Sequence, residues 1–349
     1  MWLVWFEAAL LTMEPETLEH FERIGALLEG LKAIPWLDDE ETGQIGESLL
    51  EFDSQYWSFL RILSLPLYSE LTGLLRSGSV LPHLQERPRI SVVVPVYRAN
   101  RDLLLAALGS LRMQVGVEIE CLISVDGREE DRQLVHEVLA QLGAAEDSPH
   151  WKVSVFLLEH NRGVGMCRNR ALREVNTPFF TCLDADDMFH PLRCLHAFLV
   201  LQLSAVARVN TGWSRVSIRE AKILMINGQI STHGHNSFMA RTEILQKYGY
   251  LSDLRVHEDT EYMQRLRHFH VPMLDSPVVS HYLNSEARSD YESLSTPLRK
   301  EVLAIEGHPY LCGTVIASPD RERLQIEQQQ QNLYDQLMSA ALLKAFPPD

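Results

Sequence analysis

Positive charge is scarce in this sequence: 32 lysines and arginines face 47 aspartates and glutamates, for a formal net charge of −15. A surface of that sign repels phosphate backbones and argues against general nucleic-acid binding. It leaves room for a nucleotide ligand, provided a divalent cation bridges carboxylates to phosphates. Cysteine is also sparse. Cys121, Cys167, Cys182, Cys194 and Cys312 form an odd set of five with no CxxC pair, several of them inside apolar runs. That pattern speaks against a disulfide framework and for buried thiols in a reducing compartment, so the expected location is the cytoplasm. No apolar run is long enough to span a bilayer. The opening Met1-Trp2-Leu3-Val4-Trp5-Phe6 has no basic flank, since no lysine or arginine precedes Arg23, and Glu7 interrupts it. It reads as a docked helix rather than a signal peptide, with peripheral membrane contact as the alternative. The phosphate-loop pattern GxxxxGK[ST] is absent, and HExxH fails because position 261 is glutamate.

What is present is a chain of 349 residues, 46% apolar and 23% charged, enough to bury a full core as one large domain or two ordinary ones. Residues 1–86 read as helical, with Leu18, Phe21, Ile24, Leu28 and Leu31 forming one apolar stripe. Pro35 and Pro66 punctuate this region, and it holds no catalytic constellation, so it is expected to be a helical cap or accessory region. The pattern changes at Pro88. Apolar strands starting at Ile90, Val117, Trp151 and Pro178 alternate with helical stretches at about 101–113, 129–142 and 165–175. Such alternation predicts an α/β fold with a largely parallel sheet covered on both faces. Residues 291–349 are expected to be a C-terminal helical segment, with a helix from Ser318-Pro319-Asp320 to about Lys344. That helix could join a homodimer, although it is short for a coiled coil.

Polar residues gather where the strands stop, which is where ligands bind in open α/β sheets. Asp126 ends the second strand, the Asn161-Arg162-Gly163 turn follows the third, and Asp184-Ala185-Asp186-Asp187 follows the fourth. Carboxylates this close repel one another unless a cation sits among them, and a strand end presents such oxygens to Mg²⁺ or Mn²⁺. An acidic surface turn, or acids at the start of the next helix, would give the same pattern. His257-Glu258-Asp259 opens a later helix and His281-Tyr282 ends a later strand. Each also has a plain structural reading, as dipole-stabilising acids and as a packed histidine. His233-Gly234-His235 could hold zinc, but no third ligand stands at suitable spacing.

Taken in order, Ile90–Tyr97, the Asp126 strand end, Asn161-x-Gly163 with Cys167-Arg168-Asn169, and Asp184-Ala185-Asp186-Asp187 resemble the motifs of family 2 glycosyltransferases with a GT-A fold. The resemblance covers residues 87–290 and implies an inverting transferase using a nucleoside-diphosphate sugar as donor, a UDP-sugar above all. It places Pro95, Val96 and Tyr97 in the nucleoside pocket and Asp126 on the base. Here Val125-Asp126 stands where the family has two adjacent acids. Arg168 and Asn169 match the family's Arg-Asn, with packing and capping as the alternative role. Asp186 and Asp187 are implied to hold ribose and metal, with Asp184 as a partner in the metal site and His281 as a further ligand. Asp259, with Arg265 six positions on, falls at the general base. The cofactor implied is Mn²⁺ or Mg²⁺, and the acceptor a carbohydrate or other hydroxyl. A nucleotidyltransferase also fits a parallel sheet with carboxylates, but the loop Pro95-Val96-Tyr97-Arg98-Ala99-Asn100 lacks its glycines and lysine. A nucleotide-sugar-binding protein without catalysis is the non-enzymatic alternative.

Overall fold

The computed structural model describes residues 15–78, 84–145, 147–217, 222–224, 231–252 and 258–284. The Met1–Phe6 run, His257, Cys312 and the helical segment at 291–349 lie outside the described residues. Two helices come first, α1 (Pro15–Leu31) and α2 (Asp39–Arg76). Asp38 caps α2 through a capping box: its Oδ1 accepts from Glu41 N at 2.8 Å, while the Glu41 side chain accepts from Asp38 N. Acids fill the first turn of α2 and Arg76 closes the last, the polarity a helix dipole favours. Pro66 does not punctuate as its sequence suggested. The helix runs through it for 38 residues, giving up one backbone hydrogen bond because packing on both sides holds the turns together.

The rest alternates as expected. In order come β1 (Arg89–Val96), α3 (Arg101–Arg112), β2 (Glu118–Val125), α4 (Glu129–Gln141), β3 (Trp151–Leu157), α5 (Val164–Leu172), β4 (Phe179–Cys182) and β5 (Met188–Phe189). Then follow α6 (Arg193–Ser204), β6 (Arg208–Ser217), β7 (Lys222–Leu224), β8 (Thr232–Arg241), α7 (Glu243–Tyr248), α8 (Glu258–His268) and β9 (Met273–Asn284). The nine strands form one sheet in the order β3-β2-β1-β4-β8-β6-β9-β5, with β7 beside β6. The first four are mutually parallel, β8 enters antiparallel to β4, and β6 and β9 are parallel again. Val92, Val93 and Val94 of β1 are fully buried, as a central strand with both faces covered requires. Pro95 is tolerated there by its position. Val93 O accepts from Leu183 N and Val96 O from Asp126 N, so alternation turns Pro95 toward β4, whose pairing has already ended at Cys182. At the other edge β3 buries Trp151 but leaves later residues partly open, as one uncovered side allows.

The helical region is not a separate body. Leu27, Leu31, Leu49, Leu67 and Leu71 from α1 and α2 belong to one buried cluster with Val92, Val94, Leu108, Leu195 and Met239. Cys121, Cys167, Cys182 and Cys194 are all buried and free. Burial pushes the Cys167, Cys182 and Cys194 thiols up to about 11, so they stay protonated at neutral pH. Among the described residues no helix is long and apolar enough to cross a membrane. Because the core is shared, Leu71→Ala is expected to cost about 2–5 kcal/mol. Far- and near-ultraviolet circular dichroism melts should shift together. Early loss of helix signal, with the aromatic signal still at its wild-type midpoint, would show two independent units.

Candidate active site

The carboxyl ends of β1, β2 and β4 open on the same side of the sheet, and β9 brings His281 to it. At the end of β1 Tyr97 is 44% exposed, a large aromatic face left in solvent. The loop beyond it is held by Asp131, whose carboxylate accepts from Arg98 N at 2.6 Å and Ala99 N at 3.3 Å while Arg98 takes a left-handed φ of 50°. Pro95 and Val96 complete that strand end.

Asp126 is buried, and its two oxygens accept backbone amides from the turn after β3: Arg162 N at 2.7 Å and Gly163 N at 2.9 Å. The turn is thereby pinned to β2. Gly127 permits this approach, since a Cβ there would lie 2.3 Å from the carbonyl carbon of His160. The expectation that Asp126 meets a base therefore falls on a carboxylate already carrying two amides, with lone pairs to spare.

Arg168 and Asn169, on α5, tie later chain to this frame. Arg168 is buried between two acids: Nη2 donates to Asp184 Oδ1 at 2.6 Å and Nη1 to Glu258 Oε1 at 2.5 Å. Burial disfavours its charge, but Asp184 and Glu258 more than offset that, and the guanidinium stays a cation. Asn169 spends its amide on Leu251, donating to Leu251 O at 2.8 Å and accepting from Leu251 N at 3.0 Å. Arg265, matched by spacing alone, holds the same loop through Tyr248 O at 3.0 Å and Tyr250 O at 2.8 Å.

The acid turn follows β4. Asp187 N donates to Asp184 O, which closes the turn, and Asp184 and Asp186 stay half-buried. Asp187 is buried: Oδ1 accepts from Asn284 N at 3.1 Å, and Oδ2 lies 3.3 Å from His281 Nε2. Phe189 pairs with His281 across β5 and β9, and this pairing brings together residues ninety-four positions apart (281 − 187). A buried carboxylate and imidazole meeting this way suit a divalent ion such as Mn²⁺. Among the described residues no three such side chains form a complete cage. A cation that shares its coordination with substrate phosphates needs only one or two protein carboxylates. The residues present therefore fit such an ion.

Asp259, one residue past Glu258, is half-buried and borders a cavity of ≈ 30 Å³ together with Arg168, Arg208 and Tyr262. His233 falls on β8, opposite Gly212. Two participants were not legible as such. Glu258 was expected only as the lesser neighbour of Asp259, and Arg208 carried no motif at all; the 90-residue gap between Arg168 and Glu258 left no local signal.

Residues 91–248 match a family model described as glycosyl transferase family 2. The matched segment runs from β1 through α7, less than half of the chain, and it ends before Asp259 and His281. No curated protein matches the sequence. Among solved structures, S. aureus TarS 1-349 in complex with UDP-GlcNAc is similar with a TM-score of 0.46 and 18% identity. That alignment covers 56% of this chain and 58% of TarS 1-349. Mannosyltransferase PcManGT from Pyrobaculum calidifontis in complex with GDP-Man and Mn²⁺ aligns with a TM-score of 0.45 and 16% identity, over 76% of this chain and 77% of that one.

The acid cluster has a measurable consequence. Burial pushes Glu258 up to about 7 from 4.5, against the pull of Arg168 and with help from the neighbouring Asp259 and Asp184 charges. A carboxyl whose pKa rises on folding contributes stability that is full below about 4.5 and is lost as pH climbs through about 7. Glu258→Gln resembles the protonated acid at every pH. Its melting temperature relative to wild type should therefore climb between pH 4.5 and 7 and level off above. A gap that does not change with pH would show that burial does not penalise this charge.

Proposed function

We propose that this chain is an inverting glycosyltransferase that moves a sugar from a nucleoside diphosphate, UDP in the first place, to an acceptor hydroxyl. The observation that carries the proposal is the Asp184–Asp187 turn at the end of β4, inside the segment matched to the family, with Asp187 Oδ2 3.3 Å from His281 Nε2. Asp187 and His281, with Asp186 and Asp184 near them, would hold Mn²⁺ or Mg²⁺. When bound, that ion neutralises charge gathering on the departing diphosphate. Tyr97, Pro95 and Val96 offer the nucleoside an aromatic face and the end of β1. Asp126 sets the turn that borders it and retains acceptor capacity toward the base. Arg168 holds Asp184 in place and Asn169 holds the Leu251 loop, so their part toward the donor is to position what touches it.

Asp259 is the proposed general base. A hydroxyl that attacks the anomeric carbon must lose its proton as the new bond forms, and a carboxylate within reach accepts it. Direct attack by the acceptor, deprotonated by a single base, displaces the leaving group from the opposite face and inverts the anomeric carbon. The protonated thiols at Cys167 and Cys182 offer no competing nucleophile. The buried free thiols also suit a reducing, cytoplasmic setting.

Asp187→Ala is expected to abolish the Mn²⁺-dependent component of UDP binding while the protein still folds. Calorimetric titration with Mn²⁺ and with EDTA measures this, and unchanged UDP affinity in EDTA would overturn the metal assignment. Asp259→Asn should lower turnover by about 10²–10⁴-fold and leave donor affinity near wild type. Product stereochemistry by NMR should show inversion. Retention, or a variant with near-normal turnover, would refute Asp259 as base. Release of pyrophosphate rather than UDP would identify a nucleotidyltransferase instead.

A further inference from the structure

The N-terminal helices carry a buried polar chain that the proposed chemistry does not use. His20 of α1 places Nε2 2.6 Å from Asp53 Oδ2, and Tyr68 donates its hydroxyl to the same oxygen at 3.2 Å. Tyr68 Oη also lies 3.3 Å from His190 Nε2. All four side chains are buried. Apolar packing alone would hold α1 and α2 on the sheet, so a chain of desolvated polar groups here calls for a reason of its own.

Its far end supplies one. His190 follows the acid turn directly after β5, three residues beyond Asp187. His190 Nδ1 accepts from Leu192 N at 3.1 Å, so in the neutral ring Nε2 carries the hydrogen and donates to Tyr68, whose own proton goes to Asp53. Burial lowers His190 to about 3 and keeps the ring neutral. The His190 backbone is held as well: its N–H donates to Ser280 O at 2.9 Å, and its carbonyl accepts from Gln114 Nε2 at 2.9 Å. Phe52, beside Asp53 on α2, meets the His190 ring edge-on at 5.0 Å and stacks on Tyr282 at 6.1 Å. Tyr282 adjoins His281, and Phe189 adjoins His190 and meets the His281 ring at 5.0 Å. Helix α2 thus grips Tyr282, which adjoins His281, and His190, three residues beyond Asp187.

From this we infer that Tyr68 and Asp53 are positioning residues of the cation site: they hold His190, and with Phe52 of the same helix against Tyr282 they set the distance between Asp187 and His281. The N-terminal helices then belong to the donor site as its outer support. The inference rests on the reading of Asp187 and His281 as cation ligands, and its test separates the two.

Electron paramagnetic resonance of free Mn²⁺, titrated against the full chain with UDP present, gives Mn²⁺ affinity directly. Tyr68→Phe keeps the ring and removes the hydroxyl, and Asp53→Asn keeps the size and removes the charge. Each is expected to weaken Mn²⁺ binding about three- to tenfold, the reach of one lost hydrogen bond. Leu71→Ala, on the same helix but in the apolar cluster, should lower the melting temperature and leave Mn²⁺ affinity at the wild-type value. Wild-type Mn²⁺ affinity in both Tyr68→Phe and Asp53→Asn would overturn the positioning role while the cation site stands. So would a loss in Leu71→Ala as large as theirs. Should Tyr68→Phe fail to fold, Asp53→Asn against Leu71→Ala decides alone. A wild-type chain that binds UDP and ignores Mn²⁺ would overturn the cation site itself, and this inference with it.

Discussion

One buried guanidinium sets the arrangement of the site. Arg168 reaches the half-buried Asp184 at the end of β4 and the buried Glu258 at the start of α8, and it supplies Glu258 with a counter-charge in the interior. Buried ion pairs add little net stability, because desolvation consumes most of the attraction. Their use is registration: a wrong placement strands a charge, and that penalty excludes alternatives. Here the registered parts are an acid turn and a helix that begins with two carboxylates. The cluster holds more negative than positive charge, a surplus that a divalent ion would relieve, while burial raises the Glu258 carboxyl to about 7.

Around this centre the loops are fixed by side chains acting on backbone. Asp126 takes the amides of the turn after β3, Asp131 those after β1, and Asn169 both polar groups of Leu251. Arg265 gathers the carbonyls of Tyr248 and Tyr250. Such contacts make loops behave like extensions of the sheet, which a site built on strand ends requires. The contrast is Tyr97, left 44% exposed at the end of β1 with the Arg98 guanidinium 5.4 Å from its ring.

The parallel part of the sheet was readable because its strands are apolar and bounded by breakers, and the first four fall within a residue or two of where the pattern put them. The turn acids were readable because three carboxylates fall within four adjacent positions directly after an apolar strand. Other features were hidden for physical reasons. Pro66 reads as a helix breaker locally, and tertiary packing overrode it. Glu258 and Asp259 look interchangeable in sequence. Only the fold shows that the first is buried against Arg168 while the second borders a cavity. The contact between His20, Asp53, Tyr68 and His190 joins positions up to 170 residues apart (190 − 20), and no local pattern encodes that.

The family match begins inside β1, yet the hydrophobic cluster begins on α1. Recognisable ancestry and physical self-sufficiency thus have different borders in this chain. A fragment that starts where the match starts, and so lacks the helical pair, would uncover the faces that β9 and α6 turn toward α2, an apolar surface of the sort that drives proteins to associate. The helical pair therefore does for this chain what an external partner does for a lone subunit: it occupies the surface that would otherwise recruit a neighbour.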